Sequence, residues 1–149
     1  MFRPYAPADR PVCLTLFDSN LPRYFAEHER TDFAAFLNKV EAESEPYFVI
    51  ERDASVVACG GVGYEEFPTL AYLSWGMVRG ELHGTGLGTQ LTQFRLDWLR
   101  LHWPAATHTK IETSQHTEGF YARFGFEVVE REQDGFGPGL DKVLMVARL

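Results

Sequence analysis

Val78-Arg79-Gly80-Glu81-Leu82-His83-Gly84-Thr85-Gly86-Leu87-Gly88-Thr89 joins two segments of different periodicity. Upstream, residues 70–78 (Leu-Ala-Tyr-Leu-Ser-Trp-Gly-Met-Val) are rich in aromatic and β-prone types and predict a strand. Downstream, Leu87, Leu91, Phe94, Trp98 and Leu101 recur at three- and four-residue spacing and predict an amphipathic helix. The chain therefore runs strand, glycine loop, helix. A helix start leaves its first amides without intrahelical partners and carries partial positive charge. Glycines, lacking Cβ, let an anion approach several of those N–H groups at once. The stretch predicts an anion cradle and a phosphorylated ligand.

Two common phosphate loops do not fit. A nucleoside triphosphate loop places Lys and then Ser or Thr directly after its last glycine, whereas Gly88 is followed by Thr89 and Gln90. A dinucleotide fingerprint spaces its glycines G-x-G-x-x-G and follows them with a second strand and an acidic residue about 20 residues on. Here the spacing is G-x-G-x-G, and the next strand is expected only near residue 109.

The loop instead resembles the acyl-CoA-binding motif of the GNAT superfamily of N-acyltransferases, with His83 in the position of an Arg or Gln and Gly84, Thr85, Gly86, Leu87 and Gly88 as the cradle. His83 is a departure: its help to a pyrophosphate would be weaker and pH-dependent, while the amides are unaffected. A second stretch, residues 113–126, resembles the other signature of the same family, a helix carrying Tyr, three free positions, Gly and an aromatic; Tyr121, Gly125 and Phe126 fill it. Independently of that likeness, Phe120 and Phe124 lie one turn apart, Gly125 suits the left-handed residue that ends a helix, and Phe126 opens a strand. The resemblance covers residues 47–149 well and the first 46 loosely.

Bulk properties set the frame. A chain of 149 residues, 45% hydrophobic and 14% aromatic, has the size and apolar content of one domain, residues 1–149, with a substantial core. No run of 18 apolar residues occurs and the first ten residues lack a signal-peptide core, so a cytoplasmic protein without membrane association is expected. Cys13 and Cys59 lie in apolar segments without CxxC spacing and predict two buried thiols. The five histidines show no paired ligand spacing, so no metal is expected. A formal net charge of −7 argues against a nucleic-acid partner and favours cationic substrates. Arg79, Arg95, Arg100 and Arg123 are candidates to meet a polyanionic coenzyme, or else ordinary solvated charges.

Along the chain, residues 2–5 predict a short strand. Asp9 and Pro11 open a helix whose face is Val12, Cys13, Leu16 and Phe17, and Thr31 caps a second with Phe33, Phe36, Leu37 and Val40. Residues 47–51 and 56–64 predict a hairpin, residues 110–113 a strand, and residues 126–130 and 142–148 two more. Pro104 stops the glycine-loop helix. The resemblance implies an α/β fold: a mixed, mostly antiparallel central sheet, splayed between strands 4 and 5 and flanked by helices.

The same resemblance implies acetyl-CoA as co-substrate, its pantetheine arm running along strand 4 at Met77 and Val78, and its phosphates on the loop from His83 to Thr89. Ser114 stands where relatives carry an Asn against that arm. Tyr121 is the expected acid toward the departing thiolate. Glu112 and Glu65 are the leading candidates for the base, ahead of Glu66, each with a solvated surface role as its alternative. Asp18, Asn20, Tyr24 and Phe25, with the segment Asp134 to Gly139, would line the entrance for a small-molecule or peptide amine. The expected activity is transfer of an acetyl group to a primary amine by direct attack in a ternary complex. The alternative is a catalytically silent acyl-CoA sensor or interaction module. Homodimerisation is compatible with the family, though no segment supplies an interface.

Overall fold

The computed structural model describes residues 1–149. Its elements run β1 (Phe2–Pro4), a 3-10 turn (Pro7–Asp9), α1 (Arg10–Asp18), α2 (Glu29–Glu43), β2 (Tyr47–Arg52), β3 (Ser55–Glu66), β4 (Leu70–Val78), a 3-10 turn (Gly80–Leu82), α3 (Leu87–His102), β5 (His108–Thr113), α4 (Glu118–Ala122), β6 (Glu127–Gly137) and β7 (Leu140–Arg148). The strands form one sheet in the order β1-β2-β3-β4-β5-β7-β6. Every neighbouring pair is antiparallel except β4 and β5, which run parallel. That pair joins only at Leu70–Tyr72 against His108–Lys110; beyond it the two strands share no ladder.

Register sorts the side chains between two helical layers, because alternate residues of a strand face opposite ways. Val49, Cys59 and Met77 are cross-strand partners and pack with Phe17 of α1 and Phe33 and Leu37 of α2. One residue on, Ile50, Ala58 and Val78 are partners on the other face, against Leu87 and Leu91 of α3. Leu96 and Leu99 of α3 and Tyr121 of α4 continue that face over Leu73, Ile111 and Met145. Phe17, Phe33 and Leu37 are fully buried, and each such side chain contributes about 1.5–3 kcal/mol. Cys13 and Cys59 are buried free thiols in the α1/α2 layer. No helix is long and apolar enough to cross a membrane.

Four details differ from the sequence expectation. Helix α2 begins at Glu29 rather than after Thr31, because the Glu29 carboxylate accepts the Ala26 amide at 2.7 Å and closes the chain earlier. Strand β5 starts at His108, two residues before Lys110, where it gains partners on both β4 and β7. Leu101 is 76% exposed, since at 3.6 residues per turn it lies about 200° round the helix from the buried Leu99. Strands β6 and β7 extend into the segment expected to be a loop: Asp134 accepts the Gly139 amide, Asp141 accepts the Asp134 amide, and the turn is made by Gly137 to Gly139.

Candidate active site

Where β4 and β5 part, a cavity of about 850 Å³ opens, lined by both strands, the start of α3, α4, α2 and the α1–α2 connection. Its wall on β4 is irregular. Cys59 pairs with Met77 but Gly61 pairs with Ser74, so β4 carries one residue more than β3 over this stretch, a bulge at Trp75-Gly76. Trp75 has φ +37°, a conformation unfavourable for a bulky L-residue, and the fold holds it there. Its carbonyl accepts the Tyr47 hydroxyl at 2.7 Å, and its indole packs among Phe17, Phe25, Phe33 and Phe36.

The glycine loop read from the sequence lies at this cavity. Gly86, at φ +90°, is the residue before α3, and Gly84 is also left-handed; a Cβ on either would meet no protein atom within 4 Å. Both therefore face open space, and with Gly88 and Thr89 they line the cavity. A Cβ at Gly88 would make ordinary contact with Phe120 of α4, 3.4 Å away. The sixteen-residue helix behind the loop directs its free amides and positive dipole end at the cavity mouth. Thr85 turns back to the loop, its hydroxyl donating to Leu82 at 2.6 Å. Leu87 is fully buried in the core.

Val78 ends β4. Arg79 donates its amide to Val57, so the peptide groups of Val78, one residue earlier, face away from β3. The outward Val78 carbonyl accepts from Asn20 Nδ2 and from His83 Nε2, both at 3.0 Å. A carbonyl only accepts, which assigns the His83 proton to Nε2. The imidazole thus braces the end of β4 and packs edge-to-face with Tyr24, 5.0 Å between centroids. Asn20, 4% exposed and also donating to Leu16, ties α1 to the same point.

Tyr121 lies in the cavity wall with its ring edge-to-face against Phe120 and Phe126 and its hydroxyl without a protein partner. Glu65 and Glu112 also line the cavity. Lys110 holds Glu65 at 2.9 Å and Lys142 reaches Glu112 at 3.7 Å, and both carboxylates remain substantially exposed. Met77, Val78, Tyr24, Phe25 and Phe136 complete the group of expected residues that meet here.

Other expected residues lie elsewhere. Asp18 is on the surface, paired to Arg30 at 2.7 Å. Ser114 is buried beside the cavity rather than in its lining, its hydroxyl accepting the His116 amide at 3.3 Å. Of the four arginines, Arg100 pairs with Asp97, Arg79 donates to Val56 and Arg123 stacks over Phe120 within the cavity wall. Arg95 is neither solvated nor at the glycine loop. It is 1% exposed, its guanidinium pressed beneath Gly76 and Gly60, with only a 3.4 Å contact to the Ser74 carbonyl and no partner for Nε or Nη2.

Several residues that line the cavity went unread as such in the sequence, among them Phe36, Trp75 and Glu29. Glu29 is 7% exposed and reaches the cavity from the start of α2, and burial raises its carboxyl above the ordinary range. Locally it is one acidic residue in Glu27-His28-Glu29-Arg30, and no spacing rule separates it from its solvated neighbours.

Comparison with known proteins agrees with this arrangement. The chain superposes on the ribosomal-protein-alanine N-acetyltransferase of Brucella melitensis with a TM-score of 0.79 at 19% identity, covering 100% of this chain and 99% of that one. Ard1 from Thermoplasma volcanium gives 0.82 at 17% identity, covering 100% and 97%. N-acetylglutamate synthase from Neisseria gonorrhoeae, solved with coenzyme A and N-acetyl-glutamate, gives 0.75 at 15% identity, covering 100% of this chain and 35% of that one. At such identities these likenesses establish the fold. No curated protein sequence matches the chain closely. The profile of the acetyltransferase (GNAT) family, however, matches residues 13–126, which span both the glycine loop and the Tyr121 helix, and the chain belongs to that family.

Proposed function

We propose that the protein transfers an acetyl group from acetyl-CoA to a primary amine by direct attack in a ternary complex. The observation that carries this reading is the coincidence, in one cavity, of an unpaired β4 edge, an amide cradle at the start of α3 and a tyrosine hydroxyl with no protein partner. The cradle supplies donors for the phosphates of the coenzyme. Below it, the outward amide of Val78 at the parted edge offers a backbone donor to the pantetheine arm.

Chemistry sets two demands. A free ammonium has a pKa near 10.4, so at pH 7 about one amine in 2,500 is neutral, a deficit of about 4.6 kcal/mol in readiness for attack. A carboxylate, or a water held by one, can take the proton, and Glu112 and Glu65 are the candidates already in the wall. As nitrogen bonds to the carbonyl carbon and the carbon–sulfur bond breaks, the thiolate requires a proton. The Tyr121 hydroxyl is the donor on this reading. One core backs it, in which Phe120 and Phe126 pack with the sheet residues Leu73, Ile111 and Met145, so the phenol has little freedom to drift.

The test begins with thermal melting in the presence of acetyl-CoA, CoA, ATP and NAD at matched concentrations. Ligand at about 100 times its dissociation constant stabilises by about 2.7 kcal/mol, which for a chain of this size corresponds to a rise of about 5–10 °C. Stabilisation by acetyl-CoA and CoA alone supports the reading, and a folded protein that ignores both overturns it. CoA release on adding amines then separates a transferase from a silent binder.

A further inference from the structure

Part of the cavity wall is built from α2, the α1–α2 connection and the tip of the β6–β7 hairpin, and Phe25, Glu29, Phe36, Trp75 and Phe136 line it. One carboxylate oxygen of Glu29 takes the Ala26 amide at 2.7 Å; the other has no hydrogen bond and no ion pair. That second oxygen keeps access to the open cavity and is free to accept from a guest. The neighbouring Lys142 is committed to Glu112 at 3.7 Å and to the face of Phe136 at 5.5 Å.

Rings and an unpaired carboxylate together suit one kind of guest, an organic cation: aromatic faces attract it electrostatically and the carboxylate accepts its N–H groups. The cations that line the cavity are unsuited to a guest carrying a carboxylate as well. Lys110 is held by Glu65, Arg123 lies at the α4 end over Phe120, and Arg95 is shielded beneath Gly76. An α-carboxylate placed beside Glu29 would meet like charge without compensation.

We propose that Glu29, with Phe25, Phe36, Trp75 and Phe136, forms the acceptor subsite, and that it selects amines with an apolar or aromatic frame and no carboxylate next to the nitrogen. The inference rests on the acetyl transfer proposed above and adds the class of acceptor to it. Glu29 acts there as a specificity residue. Burial raises its carboxyl, and a cationic guest beside it would favour the ionised form again.

Phenethylamine and phenylalanine form a matched pair that differ only in the carboxylate. With acetyl-CoA as donor, phenethylamine is expected to be acetylated and phenylalanine to be used at least about 10-fold less well in kcat/KM. Glu29→Gln keeps the acceptor for the Ala26 amide and removes the charge. It is expected to raise KM for phenethylamine about 10- to 100-fold, the range for a hydrogen bond to a charged group, while KM for acetyl-CoA stays within about twofold of the parent. A merely structural role would change both constants or neither. Equal use of the two acceptors, or an unchanged phenethylamine KM in Glu29→Gln, overturns the subsite. Acetyl-CoA binding without any phenethylamine binding or turnover overturns the subsite and leaves the proposed coenzyme site standing; loss of acetyl-CoA binding in the parent protein removes the reading beneath both.

Discussion

At the scale of single residues, the cavity shows how differently two side chains of similar chemistry can be placed. Glu65 and Glu112 are carboxylates on the wall, each already beside a lysine, whereas Glu29 forms no ion pair and bonds only the Ala26 amide. The lysines engage the first two, whereas the third keeps one carboxylate oxygen free of any protein partner. Tyr121 poses the complementary question. Its ring is fixed by Phe120 and Phe126 and contributes to the core, so removal of the whole side chain would disturb packing. Tyr121→Phe removes only the hydroxyl. It is expected to lower kcat by about 100-fold or more, within the range for a lost acid–base group, while the acetyl-CoA dissociation constant changes less than about threefold. Single-turnover CoA release beside equilibrium titration checks both halves, and an unchanged chemical step removes Tyr121 from the acid role.

At the scale of elements, α3 and β4 cooperate in a way neither does alone. Helix α3 offers free amides only because Gly86 reverses the chain immediately before Leu87, and those amides meet the cavity only because β4 stops pairing with β5 after Tyr72. Gly86→Ala tests the first half. The new methyl meets no protein atom, so the cost to folding is the left-handed backbone strain of about 1–2 kcal/mol. The methyl also stands in the space before the amides. The expected outcome is a modest fall in denaturation midpoint together with an acetyl-CoA dissociation constant raised about 10-fold or more. Denaturation and titration of the same preparation distinguish this from a stability effect alone.

For the molecule as a whole, the first strand is tied to its helical layer by charge. Arg3 donates to both oxygens of Asp9, at 2.8 and 2.9 Å, and to Glu51 at 2.8 Å, clamping β1 and the first helical turn to β2. The Arg3 guanidinium, with the Ala6 amide, holds the largely buried Asp9 carboxyl below its usual range. A carboxyl lowered in the folded state adds stability above its unfolded pKa, near 3.9, and that stability is lost as pH falls through the lower folded value. Glu118, lowered by Arg131, acts in the same direction. Glu29 is raised, so its share has the opposite sign: it is present in acid and lost as pH rises past about 4.3. Asp9→Asn is expected to cost about 1–3 kcal/mol at pH 7, the range for a hydrogen bond to a charged group, and distinctly less at pH 3. Urea denaturation at the two pH values checks it; an equal loss at both would place the effect in packing rather than charge.

What the sequence determined by itself was whatever short-range pattern encodes. The spacing of Leu87 and Leu91 makes a helix, the left-handed glycines at 84 and 86 make a loop no other residue type would permit as readily, and the strand 70–78 was legible to its last residue. Tyr121 followed from a motif within a few residues of it. The tertiary structure alone decided which charges are buried and what faces them. Arg95 reads as one more solvated position of α3 until Gly60 and Gly76, from two different strands, are seen to leave room for its guanidinium. Trp75 reads as an ordinary strand residue until the β3–β4 register forces a bulge, and Glu29 as a surface acid until the chain folds it into the ring-lined part of the cavity wall. Periodicity records the side of an element on which a residue lies. Burial, ion pairing and the sharing of a cavity depend on the residues brought opposite it, and only the packing of distant segments determines those.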